Sequence, residues 1–134
     1  MSYARQILNS YQRAIKVDAG QLAATIDTIS DCRQACIADT DADLAEPNLS
    51  EMVTCIRLCM TCADICTATE AVLSRLADHD PAVGRPLLES CVAICRSCGD
   101  ECARHAQMHE HCRFCAEACR RCEHACQELM DALK

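Results

Sequence analysis

Three stretches of this chain carry cysteine on one spacing: CIRLCMTCADIC at residues 55–66, CVAICRSCGDEC at 91–102 and CAEACRRCEHAC at 115–126. On a helix of 3.6 residues per turn, steps of four, seven and eleven residues return to about 40°, −20° and 20°. All four sulfurs of each stretch therefore fall within an arc of about 60°, along a stripe about 16 Å long. The spacing predicts three helices, each lined on one side by thiols where a bundle ordinarily presents Leu and Ile.

A single free cysteine on a helix face is ordinary packing, because the thiol behaves as a small hydrophobe. Fifteen in 134 residues, beside one Phe, two Tyr and no Trp, are not. A core of small thiols gives up apolar burial that Leu would supply, roughly 25 cal/mol per Å², so the sulfurs point to chemistry rather than packing. Three Gly and three Pro leave few places to turn, which argues for long helices and short connections. The formal charge of −7 supplies no basic patch for phosphates, and a nucleic-acid partner is not expected. No run of the roughly 20 apolar residues that span a bilayer stands out. The N-terminal MSYARQILNSYQ has no apolar segment or small-residue cleavage site, so a cytoplasmic location is expected, where disulfides are rare. An odd number of cysteines also suits free thiols better than a disulfide framework.

Along the chain, Tyr3, Ile7, Tyr11 and Ile15 recur four apart and predict an amphipathic helix over 3–15. A second helix is expected over 20–43, with Leu22, Ile26, Ile29, Cys32 and Cys36 near one face. DTDADLAEPNLSE reads as an acidic, aperiodic connection in which Asn48 caps the next helix and Glu51 completes a capping box. That helix is expected over 49–77, the following one from Pro81 or Pro86 to about 107, and the last over 110–132. No segment alternates with period two. The expected fold is all-α: an antiparallel four-helix bundle with a cysteine-lined core, one domain over 1–134, with 1–18 as an accessory N-terminal helix.

Helix positions i and i+4 hold their Cβ atoms about 5–6 Å apart, too far for a disulfide, which wants about 3.5–4.5 Å. A metal ion bridges the larger gap. Zinc asks for closed sets of four ligands, the bacterial iron–sulfur run ends in Cys-Pro, and c-type haem attachment needs His after C-x2-C; none fits a continuous stripe. Soft thiolates select Cu(I), which shares sulfurs between ions. The expected ligands are Cys32, Cys36, Cys55, Cys59, Cys62, Cys66, Cys91, Cys95, Cys98, Cys102, Cys112, Cys115, Cys119, Cys122 and Cys126, with His105 continuing the third stripe and His109 one turn beyond. Cys32, Cys36, Cys55, Cys102 and Cys112 should approach one end of the bundle, where Cu(I) enters. Leu22, Leu73, Leu76, Leu87, Leu88, Leu129 and Leu133 should close the other. Met108 stands beside this set; His111 is expected off the stripe, His124 on the surface, His79 in the far loop, and Asp64, Glu101, Glu117 and Glu123 on a solvated face.

These residues resemble the cytosolic bacterial copper storage proteins. The resemblance rests on CxxxCxxCxxxC in three helices, on Cys98-x3-Cys102-x2-His105 and on His111-Cys112-x2-Cys115. It implies Cu(I) held by thiolates inside the bundle, histidines near its mouth, and a homotetramer without enzymatic activity. The expected role is copper buffering or detoxification with many Cu(I) ions per chain and, as partners, other copies and a copper metallochaperone. A broader Zn or Cd buffer, a thiol-based sensor and a purely structural bundle are the alternatives.

Overall fold

The computed structural model describes residues 2–12, 14–75 and 80–133. Five helices follow in order: α1 Tyr3–Asn9, α2 Ala19–Leu44, α3 Leu49–Leu73, α4 Pro81–His105 and α5 Glu110–Ala132. The four long ones run to 26, 25, 25 and 23 residues, about 35–39 Å at 1.5 Å per residue. Each packs on two others in the cyclic order α2–α3–α4–α5–α2, and α1 rests on α2. This is the antiparallel four-helix bundle with an added N-terminal helix that the spacing predicts.

The ends follow local chemistry. Asp18 caps α2 by accepting the Gly20 N–H at 2.9 Å, and Asp80 caps α4 through the Ala82 N–H at 3.0 Å. Pro81 occupies the first turn of α4, while Pro86 sits inside it; both expected start sites lie within one helix, at the cost of one backbone hydrogen bond. Asn48 begins α3 without capping it by its side chain. Its amide instead donates to Glu51 Oε2 at 2.9 Å, so the expected box closes side chain to side chain.

Two expectations on element bounds are corrected. The first helix stops at Asn9 rather than 15, where the Ser10 hydroxyl donates to the Ile7 carbonyl at 2.7 Å and the Ser10 N–H closes the last turn. Its inward residue is Leu8, while Tyr3, Ile7 and Tyr11 face outward. Helix α3 ends at Leu73 rather than 77. α2 runs to Leu44, as a helix over 20–43 leads one to expect, and so takes in residues 39–44 of the stretch also read as connection, for a reason given below. By length and a mean hydropathy of 1.3, α3 is apolar enough to cross a bilayer, although no apolar run stood out. Cysteine scores as apolar, and the α3 cysteines face the other helices.

The core divides along the bundle axis. Leu22, Leu73, Leu88, Leu129 and Leu133 are buried at one end, forming the expected apolar plug, with Leu87 half-buried beside them. Leu76 and His79 lie outside the described residues. Above the plug, Ile29, Thr25 and Thr69 are buried, and both threonine hydroxyls donate to carbonyls one turn back at 2.7–2.8 Å. From there toward the other end the core is lined by sulfur, up to the buried Asp39 and Asp43. Gly99 lets α4 and α5 close tightly: a Cβ there would stand 3.3 Å from Cys119 Cβ and 3.1 Å from the Arg120 guanidinium.

Candidate metal-binding core and its mouth

All fifteen cysteines are buried free thiols. Their sulfurs form a column in which successive contacts change helix. The deepest is Cys91 to Cys126 at 3.8 Å, between α4 and α5. Next, Cys62 touches Cys32, Cys66 and Cys95, each at 3.9 Å. Cys36 then meets Cys115 at 3.8 Å, Cys119 at 3.9 Å and Cys98 at 4.0 Å. Nearer the mouth, Cys59 meets Cys98 and Cys102 at 3.7 Å, and Cys102 meets Cys55 at 3.7 Å. The i,i+4 pairs Cys62–Cys66 and Cys98–Cys102, at 3.9 and 4.0 Å, are contacts and not bonds, as expected for thiols on one helix face.

These separations suit a shared metal. The triangle Cys59, Cys98, Cys102 has edges of 3.7, 3.7 and 4.0 Å. Its centre lies about 2.2 Å from each sulfur, close to a metal–thiolate bond of about 2.3 Å. Sets of four donors within 4.8 Å of one another overlap along the column: Cys32, Cys66, Cys95, Cys122; then Cys32, Cys36, Cys62, Cys119; then Cys36, Cys98, Cys115, Cys119; then Cys59, Cys98, Cys102, Cys115. Neighbouring sets share corners. Fifteen thiolates buried without cations are prohibitive, so metal binding must displace protons.

The mouth departs from the sequence reading in several respects. A further set joins Asp39 to Cys55, Cys59 and Cys102, whose sulfurs lie 3.8, 3.5 and 3.7 Å from Asp39 Oδ2. Asp43 follows one turn on, accepting from Cys112 at 3.5 Å. Both carboxylates are buried, Asp43 completely. Cys32, Cys36, Asp39 and Asp43 step by four, three and four, so α2 carries the same ruler as the other helices, with aspartate at its last two marks. The pattern was present in the residues themselves, but the pairs extend forward into Asp and not back to Thr25 and Ile29. Cys32 and Cys36 accordingly sit mid-column, and the two aspartates occupy the end where those cysteines were expected.

The histidines gather here. His105 Nε2 pairs with Glu101 Oε2 at 2.8 Å, which makes Glu101 a buried partner and not part of a solvated face. His109 Nδ1 pairs with Glu46 Oε2 at 2.9 Å. His111, expected off the stripe, turns inward instead: its Nδ1 lies 2.5 Å from Asp39 Oδ1, 3.3 Å from Asp43 Oδ1 and 3.6 Å from Cys112 Sγ. Met108 points outward, 78% exposed. His124 pairs with Glu128 on the surface, and Asp64 and Glu117 are exposed as expected. Glu123 is tied to Arg96 and Arg120.

Burial sets the protonation at this end. It raises the Asp39 carboxyl above its ordinary range, against the His111 hydrogen bond that pulls it down. Burial, with the Asp39 charge next, raises Asp43 to about 8. Burial and then the two carboxylates push the Cys112 thiol up. Burial lowers His111, but the Asp39 hydrogen bond and the surrounding carboxylates outweigh it and raise the ring. The mouth therefore holds exchangeable protons that a cation would displace.

Residues 18–131 match the copper storage protein family. The copper storage protein Ccsp from Streptomyces lividans, in a structure loaded with 10 copper equivalents, superposes with a TM-score of 0.93 at 51% identity, covering 97% of this chain and 99% of that one. A structure of copper loading to a cytosolic copper storage protein from Streptomyces lividans, with five coppers, gives 0.83 at 55% identity over 86% of this chain and 96% of that one. The Cu(I)-bound copper storage protein BsCsp3 gives 0.73 at 32% identity over 81% and 97%.

Proposed function

The chain belongs to the copper storage protein family, and on that premise we propose that it stores many Cu(I) ions on the thiolates of its core. The observation that carries this is the column of sulfurs drawn from all four helices, with contacts of 3.7–4.0 Å through its middle and overlapping four-donor sets within 4.8 Å. Overlapping donor sets decide the metal. Closed four-coordinate zinc or cadmium sites with private ligands would place three ions on twelve of the fifteen thiols, strand the other three and leave the shared corners without purpose. Cu(I), soft and content with two or three bridging thiolates, uses every corner.

The ligands in this reading are the fifteen cysteines, from Cys32 to Cys126, with His105 and His109 as donors at the mouth. Copper enters among the histidines and fills toward the leucine plug, and each ion replaces about one proton, so a filled core is near neutral. The work is sequestration, without catalysis, for buffering or detoxification in the cytosol. A homotetramer and a metallochaperone donor belong to the same proposal, as does a single domain with 1–18 accessory to it.

Anaerobic titration of the reduced protein with Cu(I) against a chromophoric competitor tests the proposal. Many equivalents should be withheld from the competitor, with protons released in step. Colour after one or two equivalents, or displacement of Cu(I) by equimolar Zn(II), would overturn it.

A further inference from the structure

The added N-terminal helix leaves a space that copper storage does not use. α1 packs on α2 and makes almost no contact with α3, so a cavity of about 560 Å³ remains where the three helices meet. Small-ligand sites span about 300–1,000 Å³. The cavity lies on the outside of the bundle beside the leucine plug, at the end away from the mouth. Leu8 and Ile26, both buried, supply its apolar floor, and Tyr3 and Ile7 of α1 its exposed rim.

The charged lining is of one sign. Asp27 of α2 and Glu70 of α3 line the cavity, and no lysine or arginine does. Asp27 has no hydrogen-bond or ion-pair partner among the described residues. The Glu70 carboxylate accepts no hydrogen bond either: its Oε2 is buried without a partner, and the Arg33 guanidinium stands 3.7 Å from Oε1. Arg33 is itself poorly matched, with Nη2 3.4 Å from Ser30 Oγ and Nε buried without an acceptor. Two carboxylates and one nearby guanidinium leave a single negative charge beside an apolar floor. A buried acceptor left unpaired costs stability, which an arriving donor would offset.

We propose that this cavity binds a small organic cation, an ammonium head on an apolar body, with the head toward Asp27 and Glu70 and the body against Leu8 and Ile26. A bare Ca(II) or Mg(II) ion asks for about six or more oxygens, which a largely apolar wall does not offer. A neutral apolar molecule leaves both carboxylates unmatched, and an anion is repelled by them. The site uses no thiol and no residue of the mouth, and it does not rest on copper storage.

Phenethylammonium is the probe, compared with phenethyl alcohol and hydrocinnamate at constant ionic strength on the reduced full-length chain. Backbone amide NMR shifts should saturate with the amine along α1 and around Ile26, Ser30 and Glu70. The amine should bind at least about tenfold more tightly than the alcohol, the scale of hydrogen bonds to charged groups, and the anion most weakly. The near-isosteric Asp27→Asn and Glu70→Gln should each reduce that preference, and the double variant should abolish it while the alcohol binds as before. Ala4→Phe, on the α1 wall, fills the space and should abolish binding of all three. Equal affinity for amine and alcohol, a preference that survives the double variant, or shifts scattered over surface acids away from α1 would overturn the inference. So would loss of binding as rising protein concentration brings copies together, since a second copy would then cover the cavity. Circular dichroism confirms the helices of each variant.

Discussion

Asp43 gives the sharpest test of the electrostatics at the mouth. Its carboxyl is fully buried, and burial followed by the neighbouring Asp39 charge raises it from 3.8 to about 8. An acid that binds its proton more tightly when folded stabilises the fold fully below the unfolded value and loses that contribution as pH rises through the folded one. His111, also raised, works in the same direction. The window for Asp43 thus runs from 3.8 to about 8. At about 1.4 kcal/mol per pH unit, the span amounts to at most about 6 kcal/mol, and water and relaxation at the mouth bring the expected loss nearer 2–3 kcal/mol. Asp43→Asn keeps the oxygen that accepts from Cys112 and removes the titration. Urea unfolding of the reduced, metal-free protein at intervals from pH 4 to 8 should therefore show the parent losing stability relative to the variant, with the curves closest at pH 4. Parallel curves across that range would refute the claim that a buried, raised carboxyl closes the sulfur column.

Other expectations follow from the same coordinates. Cys98 belongs to two overlapping donor sets and Cys126 touches Cys91 at the deep end, so Cys98→Ala should remove more Cu(I) equivalents in a competitor titration than Cys126→Ala. Leu88→Ala, at a site with no exposure in the plug, should cost about 2–5 kcal/mol in urea unfolding and leave copper capacity unchanged. Gly99→Ala places a methyl 3.1 Å from the Arg120 guanidinium and 3.3 Å from Cys119 Cβ; a cost of about 1–3 kcal/mol is expected, together with a weakened Arg120–Asp100 pair.

How much of this was legible in the chain depends on what each signal measures. The cysteine ruler is a statement about angle around a helix axis, so it fixed α3, α4 and α5, the face each one turns inward, and the free state of the thiols. The leucine plug was legible for the same reason: Leu22, Leu73, Leu88 and Leu129 lie in register with the stripes. Helix ends were less so, because Ser10 and Leu73 terminate helices through local hydrogen bonds and tertiary fit that periodicity does not encode. The N-terminal stripe marked a helix without saying what its apolar face meets, and Tyr3, Ile7 and Tyr11 face outward.

The mouth was the part least visible, and the cause is chemical. Acidic residues in a run with Pro and Asn signal a connection, because a buried carboxylate is costly and polar runs seldom hold a helix face. That rule fails where other groups share the burden, as Cys55, Cys59, Cys102, Cys112 and His111 do around Asp39 and Asp43. Read by position instead of residue type, Cys32, Cys36, Asp39 and Asp43 are a fourth copy of the ruler. The substitution also has a functional logic: a column of uniform thiols would hold a soft ion equally at every level. On the proposed reading, carboxylates and imidazoles at one end would give the ion weaker ligands there and a place to exchange protons, and so a direction for loading.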